Sequence, residues 1–347
     1  MAVFNHPEFE NHEQVVFCAD AETGLRAIIA VHSTALGPAV GGCRLWHYES
    51  DEAAINDVLR LSRGMTYKNA MAGLPLGGGK SVIIGDAKTI KSEALFRAFG
   101  RMVHRLSGSY YSAEDVNITT GDIMMVNKET PYVAGLEGKS GNPAPFTALG
   151  TYRGIKAAAL HQFGSDNLAG KTVAVQGLGS VGFYLCEYLH KEGAQLIVTD
   201  INQDAVQRAV NQFGATAVGL HEIYAVDADI YAPCALGATI NDDTIAQLKA
   251  RVVAGCANNQ LKEARHGEVL RQKGILYAPD YVINAGGIIN VAFEMRPQGY
   301  SADESTAKVL AIYDTLLTIF RRADAEQQST SVVADLMAQE IIRRGKC

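Results

Sequence analysis

Two lysines and one carboxylate stand where they could run proton chemistry on a small substrate. Lys68 and Lys80 flank a segment of small residues, MTYKNAMAGLPLGGGK, over Met65–Lys80. A lysine by itself is ordinarily a solvated surface charge. Here Gly77-Gly78-Gly79 runs into Lys80, and the apolar Val82-Ile83-Ile84 follows it. A glycine run loses chain entropy and packs nothing, so it points to backbone that approaches a ligand closely. Lys80, entering an apolar strand, would be partly desolvated. Desolvation and a second lysine nearby both lower an ammonium pKa, leaving one lysine able to act as a base and the other cationic. Asp115, in SAEDVN, is the candidate partner acid. Its alternative is an ordinary helix cap, because Thr119-Thr120-Gly121-Asp122 soon starts another helix.

A second motif points to a dinucleotide. Lys171–Gly182 reads KTVAVQGLGSVG, a β-branched strand running directly into Gly177-Leu178-Gly179-Ser180-Val181-Gly182 and then a helix. In that context Gly177 permits the tight turn, Gly179 lets backbone approach a pyrophosphate, and Gly182 lets helix pack on strand. The helix N-terminus offers free N–H groups to phosphate. The next strand, Gln195–Thr199, ends in Asp200, 23 positions after Gly177. A carboxylate there accepts from ribose hydroxyls and repels a 2′-phosphate, which favours NAD over NADP. The alternative is a structural glycine turn, with Asp200 as a helix cap.

These groups need elements to hold them. Strands are expected at Val15–Cys18, Ala27–His32, Ser81–Ile84 and Tyr110–Ser112, with helices from Ser50 to about Arg63, where Gly64 follows, and from Ser92 to Leu106. Gly138–Pro145, GKSGNPAP, is the linker candidate. A long helix should follow over Thr147–Phe163. Beyond it strand and helix alternate, with strands at Thr172–Gln176, Gln195–Thr199, Ile230–Ala232, Val252–Ala254 and Tyr281–Ile283; such βαβ units build a parallel sheet. The tail from Ala302 to Arg344 reads as two helices.

Composition bounds the rest. At 347 residues, 48% hydrophobic and 20% charged, the chain is long enough for two domains with separate cores. A net charge of -6 without a Lys/Arg run argues against a nucleic-acid partner. The six cysteines are scattered and none forms a CxxC pair, so they read as reduced thiols rather than disulfides. No signal-like or membrane-length apolar run is seen, no His/Cys cluster has metal-ligand spacing, and cytoplasm is the expected location.

Taken together, GGCRLW, GMTYKNAMAGLPLGGGK, SAEDVN, GNPAPFTALGTYRGIKAA, QGLGSVG, VTDIN, GCANNQL and YAPDYVINAGGIIN resemble the glutamate/leucine/phenylalanine/valine dehydrogenase family over nearly the whole chain, its leucine branch most closely. The resemblance implies an α/β protein of two domains. The first, about 1–134, would be an α/β domain with a mostly parallel sheet, for substrate, catalysis and oligomerisation. The second, about 135–322, would be a Rossmann domain, and a last helix over about 323–347 would return to the first. A cleft that closes around substrate is implied too.

The implied reaction is NAD-dependent, reversible oxidative deamination of an L-amino acid to a 2-oxo acid and ammonia. Lys68 would bind the substrate carboxylate, Lys80 would activate water, and Asp115 would shuttle protons. Thr147, Asn258 and Asn284 would touch the cofactor, and Asn259 the substrate. A homo-oligomer, dimer or octamer, is implied, with the first two strands as interface edges. By match to the leucine branch, Val40, Gly41, Met65, Ala113, Ile288 and Val291 would line the side-chain pocket. All are apolar, so a glutamate side chain would find no partner there, whereas leucine, valine and isoleucine would all fit. Phe293 departs from the branch, which commonly carries an acid there. Rival readings are an aromatic amino-acid dehydrogenase, marked by phenylalanine preference, and a catalytically silent NAD-binding regulatory protein, marked by no turnover.

Overall fold

The computed structural model describes residues 3–136 and 142–345. The chain forms two compact units, one of residues 1–141, 291–300 and 338–347, the other of residues 142–290 and 301–337. Of the candidate linker, Gly138-Lys139-Ser140-Gly141 lies outside the described residues.

The first unit begins with β1 (Gln14–Asp20), β2 (Leu25–Ser33), β3 (Ala39–Trp46) and α1 (Asp51–Met71). It continues through β4 (Gly77–Ile84), α2 (Ala87–Ile90), α3 (Glu93–His104), β5 (Tyr110–Ala113) and α4 (Thr120–Asn127). The sheet order is β1-β2-β4-β3-β5. β2 pairs antiparallel with both β1 and β4, while β3 is parallel to β4 and to β5, so four strands share one direction and β2 alone is reversed. Helices cover both faces. Ile28, Ala30 and Val82 pack with Val58 and Leu59 of α1. Ile29, Val31 and Ile83 pack with Phe96 and Phe99 of α3 and Ile123 of α4. Alternate residues of β2 thus feed two cores, and the strand reads as a continuous apolar run.

Two local expectations are corrected here. Helix α1 does not end at Gly64; it continues to Met71, because Thr66, Tyr67, Asn69 and Ala70 are buried against the sheet. That packing outweighs the ~1 kcal/mol helix penalty of one exposed glycine. The glycine run lies inside β4 and serves the protein's own packing. A Cβ on Gly78 would stand 2.0 Å from the Thr66 backbone nitrogen, and one on Gly77 2.0 Å from the Ser33 oxygen. Gly78 lets α1 lie directly on the strand, and Gly77 admits the backbone at the end of β2.

The second unit opens with α5 (Ala144–Phe163), β6 (Thr172–Gln176), α6 (Ser180–Lys191), β7 (Gln195–Thr199), α7 (Gln203–Phe213) and β8 (Thr216–Ala217). Then come β9 (Ile230–Pro233), α8 (Asp242–Gln247), β10 (Val252–Val253), α9 (Arg265–Gln272), β11 (Leu276–Tyr277) and α10 (Asp280–Ile283). The remaining helices are α11 (Gly286–Glu294), α12 (Ala302–Leu310), α13 (Ile312–Glu326) and α14 (Thr330–Gly345). The sheet order is β11-β10-β9-β6-β7-β8, and every pairing is parallel. Chain direction along the sheet reverses between β6 and β9, the switch point at which such sheets bind dinucleotides. Tyr281–Ile283 is a helical turn rather than a strand, since a short apolar run carries no period of its own; the last strand is β11. Helix α5 starts at Ala144, and the tail holds three helices rather than two, broken at Ala311 and after Glu326. The end of α14 belongs to the first unit, where Gln339 Nε2 donates to Tyr67 OH at 2.9 Å.

Gly78→Ala is expected to destabilise the protein by about 3 kcal/mol, because the methyl meets helix backbone rather than a movable side chain. Urea unfolding checks this, and an unchanged midpoint would refute the close packing of α1 on β4.

Candidate active site

Lys80 lies in β4 with buried neighbours, and its own side chain is 8% exposed. A buried ammonium needs a partner. Its Nζ is 3.0 Å from Asp115 Oδ2. The turn after β5 aims that carboxylate. The Asp115 carbonyl accepts the Ile118 N–H at 3.0 Å, Asn117 takes a left-handed φ of 60°, and Asn117 Nδ2 donates to the Leu45 oxygen at 3.0 Å. Gly42 leaves the room: a Cβ there would stand 2.7 Å from Asp115 Cβ. Asp115 is not a helix cap, since Thr119 caps α4 in a reciprocal box with Asp122.

Sequence reasoning missed the third charge. Arg44, on β3, brings Nε to 3.1 Å from the same Asp115 oxygen, and its Nη1 lies 2.9 Å from Asp57 Oδ2 on α1. Tyr48 OH donates to that Asp57 oxygen at 2.7 Å. A signal was available, because Arg44 interrupts the apolar run of β3, and a charge in a buried strand needs a partner. Burial pushes the Asp115 carboxyl up, but Lys80 and Arg44 outweigh it and hold it below the usual carboxylate range. Burial and the bond to Asp57 push the Tyr48 phenol up.

The expected pocket residues fall on α1, β3, β5 and α11. Lys68 stands half-buried on α1, one turn from Met65. Gly41 is next to Met65, whose Cγ would be 3.2 Å from a Cβ there. Val40 pairs with Gly78, and Gly42 with Ala113. Val40 is fully buried, so its side chain belongs to the core. Val291 falls in the first unit and Ile288 in the second, both half-buried on α11. Phe293 is half-buried, with the Arg296 guanidinium 4.7 Å from its ring centre.

The second unit presents the glycine turn at the end of β6. Gly177 has a φ of 103° and donates its N–H to the Thr199 oxygen at 2.8 Å. Gly182 lies on Gly177, whose oxygen would be 2.0 Å from a Cβ. At Gly179 no atom stands within 4 Å of a Cβ position, and no side chain caps α6 over Ser180 and Val181. This open, uncapped helix N-terminus fits a pyrophosphate. Asp200 accepts the Leu178 N–H at 2.5 Å and the Asn202 N–H at 2.7 Å, while Asn202 caps α7. Its carboxylate is therefore fixed beside the glycine turn, and the helix-cap alternative falls away.

Elsewhere in this unit Gly287 brings the start of α11 to Thr147, whose Oγ1 would be 2.8 Å from a Cβ there. Asn284 Nδ2 donates to Asn258 Oδ1 at 2.7 Å and to the Cys256 oxygen at 3.1 Å. Its buried Oδ1 has no partner, which suits a donor on a ligand. Asn259, exposed with a φ of 51°, completes that turn.

Asp242, Glu263 and His266 come within ligand spacing of one another. His266 Nδ1 accepts the Glu263 N–H at 3.0 Å, so Nε2 carries the proton and has no lone pair for a metal. Arg265 already spans both carboxylates. Among the described residues, no helix is long and apolar enough to cross a membrane.

Comparison with known proteins places these features. A family model described as Glu/Leu/Phe/Val dehydrogenase, dimerisation domain, matches residues 12–135. A second, described as Glutamate/Leucine/Phenylalanine/Valine dehydrogenase, matches residues 198–341. The chain is 58% identical to a leucine dehydrogenase of Bacillus cereus, over 99% of this chain and 94% of that protein. It is 48% identical to an L-tryptophan dehydrogenase of Nostoc punctiforme, over 100% of this chain and 98% of that one. The crystal structure of L-tryptophan dehydrogenase from that organism superposes with a TM-score of 0.87 at 47% identity, covering 97% of each chain.

The depressed Asp115 pKa makes a stability prediction. A carboxyl with a lowered folded-state pKa stabilises above its unfolded pKa and loses that contribution as pH falls through the folded value. Asp115→Asn should lower stability by about 3 kcal/mol at neutral pH, because two cations lose their shared anion. The gap from wild type should close on acidification. Urea midpoints measured across acid pH check this, and a pH-independent gap would refute it.

Proposed function

Because the chain belongs to the glutamate/leucine/phenylalanine/valine dehydrogenase family, we propose that it reversibly deaminates branched-chain aliphatic L-amino acids oxidatively. Leucine, valine and isoleucine would give 2-oxo acids and ammonia, with NAD as acceptor. Pyridine-nucleotide dependence is a property of the family. The preference for NAD is supported by Asp200, a carboxylate fixed beside the glycine turn that would repel a 2′-phosphate.

The observation that carries the reading is the contact of buried Lys80 with half-buried Asp115 at 3.0 Å. The substrate arrives as an ammonium, and its amine must lose a proton before reaction. Asp115, held anionic by Lys80 and Arg44, is placed to accept that proton. Lys68 supplies the fixed cation for the substrate carboxylate. When bound, the cofactor accepts the hydride from the substrate Cα. Lys80, once its own proton has passed to solvent, orients and deprotonates the water that attacks the imino acid, and Asp115 returns the proton it took to the departing ammonia.

In the second unit Thr147 on α5, Asn258 after β10 and Asn284 at the end of α10 bind the nicotinamide side, with the Asn284 oxygen taking a ligand donor, and Asn259 meets the substrate. Gly177, Leu178, Gly179, Ser180, Val181 and Gly182 hold the pyrophosphate. Gly41, Met65, Ala113, Ile288 and Val291 form the apolar side-chain subsite, with Val40 behind it. Likeness to the Bacillus cereus leucine dehydrogenase supports this substrate class.

We read the working form as a homo-oligomer in the cytoplasm. The description of the N-terminal family model as a dimerisation domain supports this, as do the edge position of β1 and the 58% exposure of Phe17 upon it.

Initial rates with leucine, valine, isoleucine, phenylalanine, tryptophan and glutamate, each with NAD and NADP, test the proposal. Aliphatic substrates with NAD should be fastest, and an aromatic or glutamate preference would overturn the substrate class. Lys80→Ala should lower kcat roughly 10³-fold. Lys68→Ala should raise the amino-acid KM roughly 10- to 100-fold.

A further inference from the structure

The charges around Asp115 are arranged oxygen by oxygen. Lys80 Nζ and Arg44 Nε approach the same atom, Oδ2, at 3.0 and 3.1 Å. No described residue bonds Oδ1. Arg44 is itself tethered, since its Nη1 lies 2.9 Å from Asp57 Oδ2. Asp57 in turn accepts the Tyr48 hydroxyl at 2.7 Å and faces Arg60 at 3.5 Å. A guanidinium can address two carboxylates at once because its donors diverge in one rigid plane; an ammonium has no such fork.

We propose that Arg44, tethered by Asp57 and Tyr48, is a positioning residue of the proton shuttle: it locks Asp115 through Oδ2 and leaves Oδ1 as the oxygen that meets the substrate amine. The inference deepens the deamination reading and rests on it. Arg44 acts through Asp115 and needs no contact with substrate. In the step it serves, a proton leaves the substrate ammonium for Asp115 Oδ1, the amine keeps the lone pair, and the carboxylate becomes neutral.

The other ionisable groups around Asp115 are few. Cys43 on β3 is pushed up to about 12 by burial, and burial also pushes up the Tyr110 phenol on β5, so both are neutral at working pH. Asp122 on α4 is paired with Lys91 at 2.6 Å and capped against Thr119, and Asp57 on α1 faces Arg44. Lys80 and Arg44 are therefore the two cations that hold Asp115 ionised and oriented.

The test uses full-length wild type, Arg44→Met and Arg44→Lys, with two readouts. The Asp115 carboxyl is titrated by carboxyl-carbon NMR on aspartate-labelled protein, and assigned by loss of its signal in Asp115→Asn. Rates are measured with leucine and NAD. In Arg44→Met the Asp115 pKa should rise by about one unit, and kcat should fall roughly 10²-fold, as for a misaligned reacting group. The leucine KM should stay within about three-fold, because the substrate carboxylate still meets Lys68. Arg44→Lys should bring the pKa back towards wild type and recover only part of kcat.

An unmoved Asp115 pKa in Arg44→Met, or unchanged kcat despite a moved pKa, would overturn the inference. If Arg44→Met does not fold, Arg44→Lys decides: kcat about ten-fold below wild type at unchanged KM supports the fork geometry, and wild-type kcat overturns it. A wild type without turnover on leucine defeats the deamination reading itself. A wild type that turns over leucine while the variants fail these expectations defeats only the role of Arg44.

Discussion

A buried ammonium is untenable without an anion beside it, and the first unit is organised around that constraint. Lys80 is 8% exposed in a strand whose other residues form core. Asp115 must therefore reach it, which requires the turn after β5, the left-handed Asn117 and the missing side chain at Gly42. Asp115 in turn carries a second cation, Arg44, and Arg44 a second carboxylate, Asp57. Each charge calls for the next, and the series ends at half-buried Tyr48 and at exposed Arg60 on α1. An array of this kind adds little net stability over apolar packing, yet losing any one member is costly. It serves chemistry and register more than stability.

The second unit meets a different constraint with similar means. In the proposed reading its backbone comes close to phosphate, and side chains are absent both at the open helix N-terminus and where helix meets strand. Gly179 is open to solvent and Gly182 lies against Gly177. The same residue type thus works in two ways. At Gly179 absence of a side chain leaves open space, whereas at Gly78 it lets α1 settle on β4 and at Gly77 it admits the backbone of β2. Sequence pattern treats both runs alike, and for the second it suggests a ligand where the protein's own atoms stand instead.

Much of the fold was legible in advance. The strands Thr172–Gln176 and Gln195–Thr199 lie where alternation puts them, and α3 falls within the expected Ser92–Leu106. Those segments have caps, glycines or sustained periods that act within a few residues. Where local signals conflicted with burial, burial prevailed. Gly64 did not stop α1, and Tyr281–Ile283 became a helical turn with Ile283 packed against Gly154 of α5.

The sequence by itself determined the kinds of chemistry present: two lysines and an acid in one half, and a glycine-rich strand-to-helix turn followed by a strand-end carboxylate in the other. Residue type, spacing and local backbone preference suffice for that, because each motif is short and carries its own geometry. Only the tertiary structure decided which charges meet. Arg44, Asp57, Lys80 and Asp115 come from three strands or their ends and one helix, up to 71 positions apart, and no periodicity encodes that one carboxylate oxygen is shared by two cations. Such pairing depends on sheet order and on which side chains are kept from water, and both are properties of the folded chain.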